Sequence, residues 1–117
     1  MKLKLKRVII FTSKMGPLSD FYGKGLGLKA RPDPDYDPKE WIEFETGGSR
    51  IALHKAYGNG SAGGAHKLVF YAANVAKARD ELLRRKVKMG DVKKFGKLVM
   101  CDGVDPAGNR IQVSNRR

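Results

Sequence analysis

Two short stretches and two single residues of this sequence are of types that do chemistry. Asp33, Asp35 and Asp37 spell D-x-D-x-D, the opening of a calcium loop. Such a loop needs a turn glycine and, later, a bidentate glutamate, and Pro38 and Phe44 stand at those places. Pro32, Pro34 and Pro38 interleave the acids, so the stretch reads as an acidic, proline-stiffened loop near a cleft mouth. Gly23-Lys24-Gly25-Leu26-Gly27 has the composition of a phosphate loop. It follows a helix instead of linking a strand to one, and its glycines read as a helix stop and turn. Cys101 is the single cysteine. It has no defined His partner, so a small core residue is the stronger reading and a catalytic thiol the weaker. Glu43 has the type of a general base, but no nucleophile or set of oxyanion donors accompanies it.

The elements that must position these residues come from an internal repeat. The two halves align without gaps at an offset of 60. Arg7 to Ser13 matches Lys67 to Ala73, Asp20 matches Asp80, and Gly48 to Leu53 matches Gly108 to Val113. Each half opens with an apolar, β-branched run that predicts a buried strand. An amphipathic helix follows. In the first half Gly16-Pro17 opens it and Leu18, Phe21 and Tyr22 form its apolar face. In the second half the face is Val75, Ala78, Leu82 and Leu83. Three strands then follow, at about 28–31, 40–45 and 50–55 and again at about 87–90, 97–104 and 110–114. The unit is β-α-β-β-β, twice. Module one covers about 2–57, a Gly/Ser/Ala-rich linker about 58–64, and module two about 65–117, together one domain over 1–117. The fold class is α+β.

Strand alternation assigns faces. Val8 and Ile10 share one face of the first strand, Ile9 and Phe11 the other. In the strand at 40–45, Trp41, Glu43 and Glu45 share a face opposite Ile42 and Phe44. If Ile42 and Phe44 meet the helix, Trp41 and Glu43 line a cleft.

These residues resemble a known family. Phe21-Tyr22 followed by Leu26-Gly27-Leu28 resembles the signature at the end of the first helix in vicinal-oxygen-chelate proteins, the group of glyoxalases, bleomycin resistance proteins and extradiol dioxygenases. Asp105-Pro106-Ala107-Gly108-Asn109-Arg110-Ile111-Gln112 resembles the turn and last strand of the same group. The resemblance implies curled mixed sheets around a cleft, and a homodimer. In active members it implies a divalent metal acting as a Lewis acid on the bound substrate.

Carried over residue by residue, the metal positions fall on Arg7, Ala52, Lys67 and Gln112. Arginine does not bind metal, lysine is a poor ligand unless neutral, and alanine has no donor. Gln112 supplies one weak neutral oxygen. The resemblance therefore carries an expectation of no metal at these positions. The alternative is a rearranged divalent-metal site around His54, His66 and Gln112, which needs a one-residue register slip to bring His66 in place of Lys67. No carboxylate is clearly placed to complete it. Arg7 has two readings. It is an ion pair with Glu43, or it forms a ligand-anion clamp with Lys67, walled by Trp41, Phe11 and Tyr71.

Apolar residues make up 41% of the 117, enough for a core, and no run approaches the roughly 18 needed to span a membrane. The basic N-terminus lacks a cleavage site and is not read as a signal peptide. One cysteine excludes an intramolecular disulfide and fits a reducing cytoplasm. The net charge of +12 favours anionic ligands at long range. Nucleic acid is the less favoured partner, since no zinc-finger, helix-turn-helix or RNP-like pattern accompanies the charge. Binding of a small anionic or aromatic molecule is favoured over catalysis. The competing expectation is a divergent metal-dependent lyase, isomerase or dioxygenase. The cleft residues are Arg7, Phe11, Trp41, Glu43, Ala52, His54, Lys67, Tyr71 and Gln112.

Overall fold

A computed structural model describes residues 1–2, 5–56 and 66–117 of the chain. It resolves into two compact units, Met1–Ser61 and Ala62–Arg117. The predicted linker at about 58–64 lies outside the described residues. No helix among the described residues is long and apolar enough to cross a membrane.

Unit one is built from β1 (Arg7–Thr12), α1 (Met15–Asp20), β2 (Lys29–Arg31), β3 (Trp41–Glu45) and β4 (Arg50–Lys55). Its four strands lie in the order β1-β4-β3-β2. β1 runs parallel to β4, with Arg7 opposite Arg50 and Ile9 opposite Ala52. β3 is antiparallel to both neighbours, with Glu43 opposite Ala52 on one side and Arg31 on the other. Alternation then gives the sheet two distinct faces. Ile51, Leu53 and Phe44 join Leu18 and Tyr22 of the helical segment in the core, each at most 4% exposed.

The glycine-rich segment does more than stop the helix. After α1 the backbone widens into a π-helical turn over Phe21–Gly25, with the amide of Leu26 donating to the carbonyl of Phe21 at 2.8 Å. Gly27, at φ 73°, ends it, and the amide of Leu28 reaches back to the carbonyl of Tyr22. Gly23 is there for packing. A Cβ on it would sit 3.3 Å from the Phe44 ring, so that residue lets the ring close against the helix.

Unit two repeats the plan with β5 (Lys67–Tyr71), α2 (Val75–Arg84), β6 (Lys93–Phe95), β7 (Leu98–Val104) and β8 (Arg110–Ser114), in the order β5-β8-β7-β6. β5 runs parallel to β8, with Lys67 opposite Arg110 and Val69 opposite Gln112, the register of unit one shifted by 60. Asn74 caps α2, its side chain accepting from the Lys77 amide at 3.0 Å. Val75 is buried beneath α2. Leu83, expected on the apolar face, is 41% exposed; α2 lays Val75, Ala78, Arg79 and Leu82 inward instead.

The expected strand at 87–90 is corrected. Val87 and Met89 are buried, yet the segment makes one ladder-like bond, from the Gly90 amide to the Asp102 carbonyl at 2.7 Å. The strand beside β7 is β6, joined to it by the two-residue turn Gly96-Lys97. Gly96 has φ 61°, the place that a type II′ hairpin keeps for glycine. The Asp105-to-Asn109 turn is held by one carboxylate. Asp105, 3% exposed, accepts from the amides of Ala107 and Asn109 and from the Asn109 side chain. Both units therefore form four-stranded mixed sheets with a helix each, an α+β fold in which neither sheet closes into a barrel.

Candidate functional site

The face of the first sheet turned away from α1 carries Arg7, Ile9 and Phe11 of β1, Arg50, Ala52 and His54 of β4, and Trp41, Glu43 and Glu45 of β3. It bounds a hollow of about 670 Å³. Arg7, Trp41, Glu43, Arg50 and His54 line it with Arg31 at the end of β2, and the loop after β2 adds Pro32, Asp33, Pro34 and Tyr36.

Glu43 organises the charged end. It is 8% exposed and accepts from Arg7 Nε at 2.7 Å and from Arg50 Nη1 at 3.2 Å. Arg7 is thus ion-paired with Glu43, and it shares that carboxylate with a residue the sequence did not single out, Arg50. Arg31 pairs with Glu45 at 3.1 Å. Of the three guanidinium groups in the lining, Arg31 is paired with Glu45, while Arg7 and Arg50 share the one carboxylate of Glu43, so an anion arriving there meets two guanidinium groups that a single carboxylate divides between them.

The other end is aromatic. Trp41 meets His54 edge-on with centroids 5.7 Å apart, Phe11 lies 5.0 Å from His54, and Tyr36 lies 6.2 Å from Trp41. Nδ1 of His54 is 2.8 Å from the Lys55 carbonyl. A carbonyl only accepts, so Nδ1 carries a proton, and in the neutral ring Nε2 is the acceptor. Arg50 and His54 are two same-face steps apart on β4, which separates the charged and aromatic ends by roughly 13 Å.

The acidic loop is held by its own side chains. Asp33 accepts from the Asp35 amide and Asp37 from the Lys39 amide, each at 2.9 Å. These are Asx turns, and they occupy two of the three carboxylates of the D-x-D-x-D stretch.

In unit two the remaining predicted residues share one face of the second sheet. Lys67 opens β5 opposite Arg110, so no slip puts His66 into the strand in its place. Lys67 Nζ and Gln112 Nε2 both donate to Asp102 Oδ1 at 3.0 Å. Gln112 Nε2 also lies 3.3 Å from Met100 Sδ. Partial burial pushes the Asp102 carboxyl up. The bonds from Gln112 and Lys67, with the charges of Lys67 and Lys93, outweigh that and hold it below the usual carboxylate range. Tyr71 lies on the same face with the Arg117 guanidinium over its ring at 5.5 Å. Cys101 is fully buried, and burial pushes its thiol up, away from the reactive thiolate.

Asp102 was missed by sequence reasoning. It is the counterpart of Glu43: Glu43 stands opposite Ala52, and Asp102 opposite Gln112. Residue 103, which the 60-residue offset matches to Glu43, is a glycine, because β7 is displaced by one residue relative to β3. Among the described residues, no group of three or more His, Cys, Asp and Glu side chains is arranged to hold a metal ion.

The family model of the Glyoxalase/Bleomycin resistance protein/Dioxygenase superfamily matches residues 4–113. This chain belongs to that superfamily. A sequence comparison with curated proteins gives no significant match. Solved structures share the fold. A putative glyoxalase family protein from Bacillus anthracis is 21% identical over 100% of this chain and 98% of its own, with a TM-score of 0.81. A protein from the mobile metagenome of V. Pseudocholerae is 23% identical over 97% and 95%, with a TM-score of 0.74. A lactoylglutathione lyase from Agrobacterium tumefaciens is 19% identical over 97% and 94%, with a TM-score of 0.71. At these identities the likeness shows the fold alone.

Proposed function

We propose that this superfamily member binds a small molecule with an aromatic body and an anionic head in the hollow of unit one, without a metal at the family's positions. The observation that carries the proposal is the division of the hollow into two ends. Arg7, Arg31 and Arg50 stand at one, and Trp41, His54 and Tyr36 at the other. Guanidinium forks suit carboxylate or phosphate, and the rings supply apolar surface with one acceptor, His54 Nε2.

The donor set supports the metal-free reading. Arg7 is a cation already committed to Glu43. Ala52 has no donor atom. Lys67 is engaged by Asp102 as a charged partner, and Gln112 brings a single neutral amide. Residues of these types do not fit a divalent cation. A homodimer is proposed on the family's habit alone, and a 13 kDa species by sedimentation at micromolar concentration would count against it.

Trp41 is the single tryptophan, so its fluorescence reports the site directly. Titration with 2-naphthoate is expected to quench it saturably, and titration with 2-naphthylmethanol to do so about tenfold more weakly, the worth of one charge-assisted hydrogen bond. Arg50→Gln should bring the acid to the level of the alcohol. Equal quenching by both compounds would remove the anion part of the proposal. Stoichiometric zinc, nickel, manganese or iron in protein purified without chelators, lost on His54→Ala or His66→Ala, would sink the metal-free part.

A further inference from the structure

We infer that unit two carries a second anion site, built for a phosphate monoester with a compact apolar body. It lies where β5 and β8 begin and β7 ends, around Lys67, Arg110 and Val104. The hollow there measures about 510 Å³. Lys88 and Arg110 bring charge to it, while Val104, 56% exposed, gives it an apolar wall backed by the buried Met89 and Ile111.

The difference between the two sheets makes this site. In unit one the longer carboxylate, Glu43, accepts from both Arg7 and Arg50. In unit two the shorter one, Asp102, accepts from Lys67 and Gln112. The counterpart of Arg50 is Arg110, and among the described residues it has no carboxylate partner. Lys88 has none either. Two unpaired cations thus share one hollow with an already neutralised Lys67–Asp102 pair. A phosphate monoester carries a charge of about −1.5 to −2 near neutral pH, which matches them. The guanidinium takes two oxygens and the ammonium a third.

The glycines admit the ligand to the wall. Gly90 and Gly103 line the hollow, and a Cβ at Gly103 would meet Met89 Sδ at 2.8 Å and the Lys88 carbonyl at 2.9 Å. The absence of that carbon lets the Lys88 backbone close on β7, and this leaves the Lys88 side chain exposed at the rim with Met89 buried behind it. Neither residue pattern nor repeat marks the site, since residue 28, the offset partner of Lys88, is a leucine in the first half.

Amide spectra of the full chain titrated with phenyl phosphate test the proposal. Saturable shifts are expected at Gly90, Gly103 and Arg110. Affinity should fall about tenfold in Arg110→Gln and less in Lys88→Gln, both exposed side chains whose loss leaves the spectrum dispersed. Lys77→Gln makes the same charge change on exposed α2 and should leave the affinity unchanged. Inorganic phosphate should bind about tenfold more weakly than phenyl phosphate, because it buries nothing on the exposed Val104. Diffuse, unsaturable shifts, or an affinity indifferent to Arg110→Gln, would overturn the site. Equal affinity for the two probes would overturn its apolar half.

Discussion

Asp102 and Glu43 do the same work with side chains that differ by one methylene. Glu43 is buried between two arginines, while Asp102, its side chain 37% exposed, is shared by a lysine and an amide. Asp102 has a carboxyl held below its ordinary range, so it takes up its proton at lower pH in the folded chain than in the unfolded one. The sign follows. Its contribution to stability is complete above the unfolded value of about 3.9 and is lost as pH falls through the folded value. Screening at this exposure limits it to about 0.5 kcal/mol. Urea midpoints are therefore expected to differ between wild type and Asp102→Asn at pH 6 and to draw together as the pH falls below the usual carboxylate range. A difference that does not change with pH would assign the effect to packing instead. Much of that sheet face was legible at this scale. Alternation within each strand, joined across strands by the family resemblance, grouped Arg7, Phe11, Trp41, Glu43, Ala52 and His54, and they share one face of the first sheet. Arg50 was overlooked although it opens the strand expected at 50–55 and shares that alternation. Asp102 was overlooked because a fixed offset cannot represent a strand displaced by one residue.

At the scale of elements, the strands read well where both faces carry a pattern and poorly where one does not. β1, β3, β4, β5, β7 and β8 each alternate or run apolar, and their expected positions agree with the observed ones to within a residue. The segment 87–90 has the alternation of a strand, with Val87 and Met89 buried, but not the pairing. Its fate is decided by Gly103 on a different element, which no local pattern reveals. The true strand, β6, is polar, short and exposed, and its mark is the glycine of its hairpin turn. Gly103→Ala tests this account. The new methyl must displace a backbone carbonyl as well as the flexible end of Met89. The expected cost is about 1–3 kcal/mol by chemical denaturation. In a Met89→Ala background Gly103→Ala should cost less but not nothing, since the Lys88 carbonyl remains. A cost of zero there would mean that the Met89 side chain alone fills the space.

The whole molecule carries 24 basic and 12 acidic residues, so even complete pairing would leave 12 cations facing one another. Two effects of salt then compete. Screening weakens the attraction in pairs such as Arg7–Glu43, where the atoms are 2.7 Å apart. It also weakens repulsion among cations spread over the surface. The Debye length shortens from about 30 Å at 0.01 M to about 10 Å at 0.1 M. Contacts of a few ångströms lie well inside both lengths and change little. Repulsions over 10–30 Å are largely removed. The second effect wins, and a chain of this charge should be stabilised by simple salt. Between 10 and 200 mM sodium chloride the thermal midpoint is expected to rise by about 4 °C, corresponding to about 1 kcal/mol for a chain of this size. Sodium phosphate at matched ionic strength should raise it further, because an anion that occupies the Lys88–Arg110 hollow adds binding free energy to screening. In Arg110→Gln the gap between the two salts should narrow, leaving the part due to the unit-one hollow and to exclusion of phosphate from the surface. A midpoint that falls with sodium chloride would show that the short ion pairs, and not the net charge, govern the electrostatics of this fold.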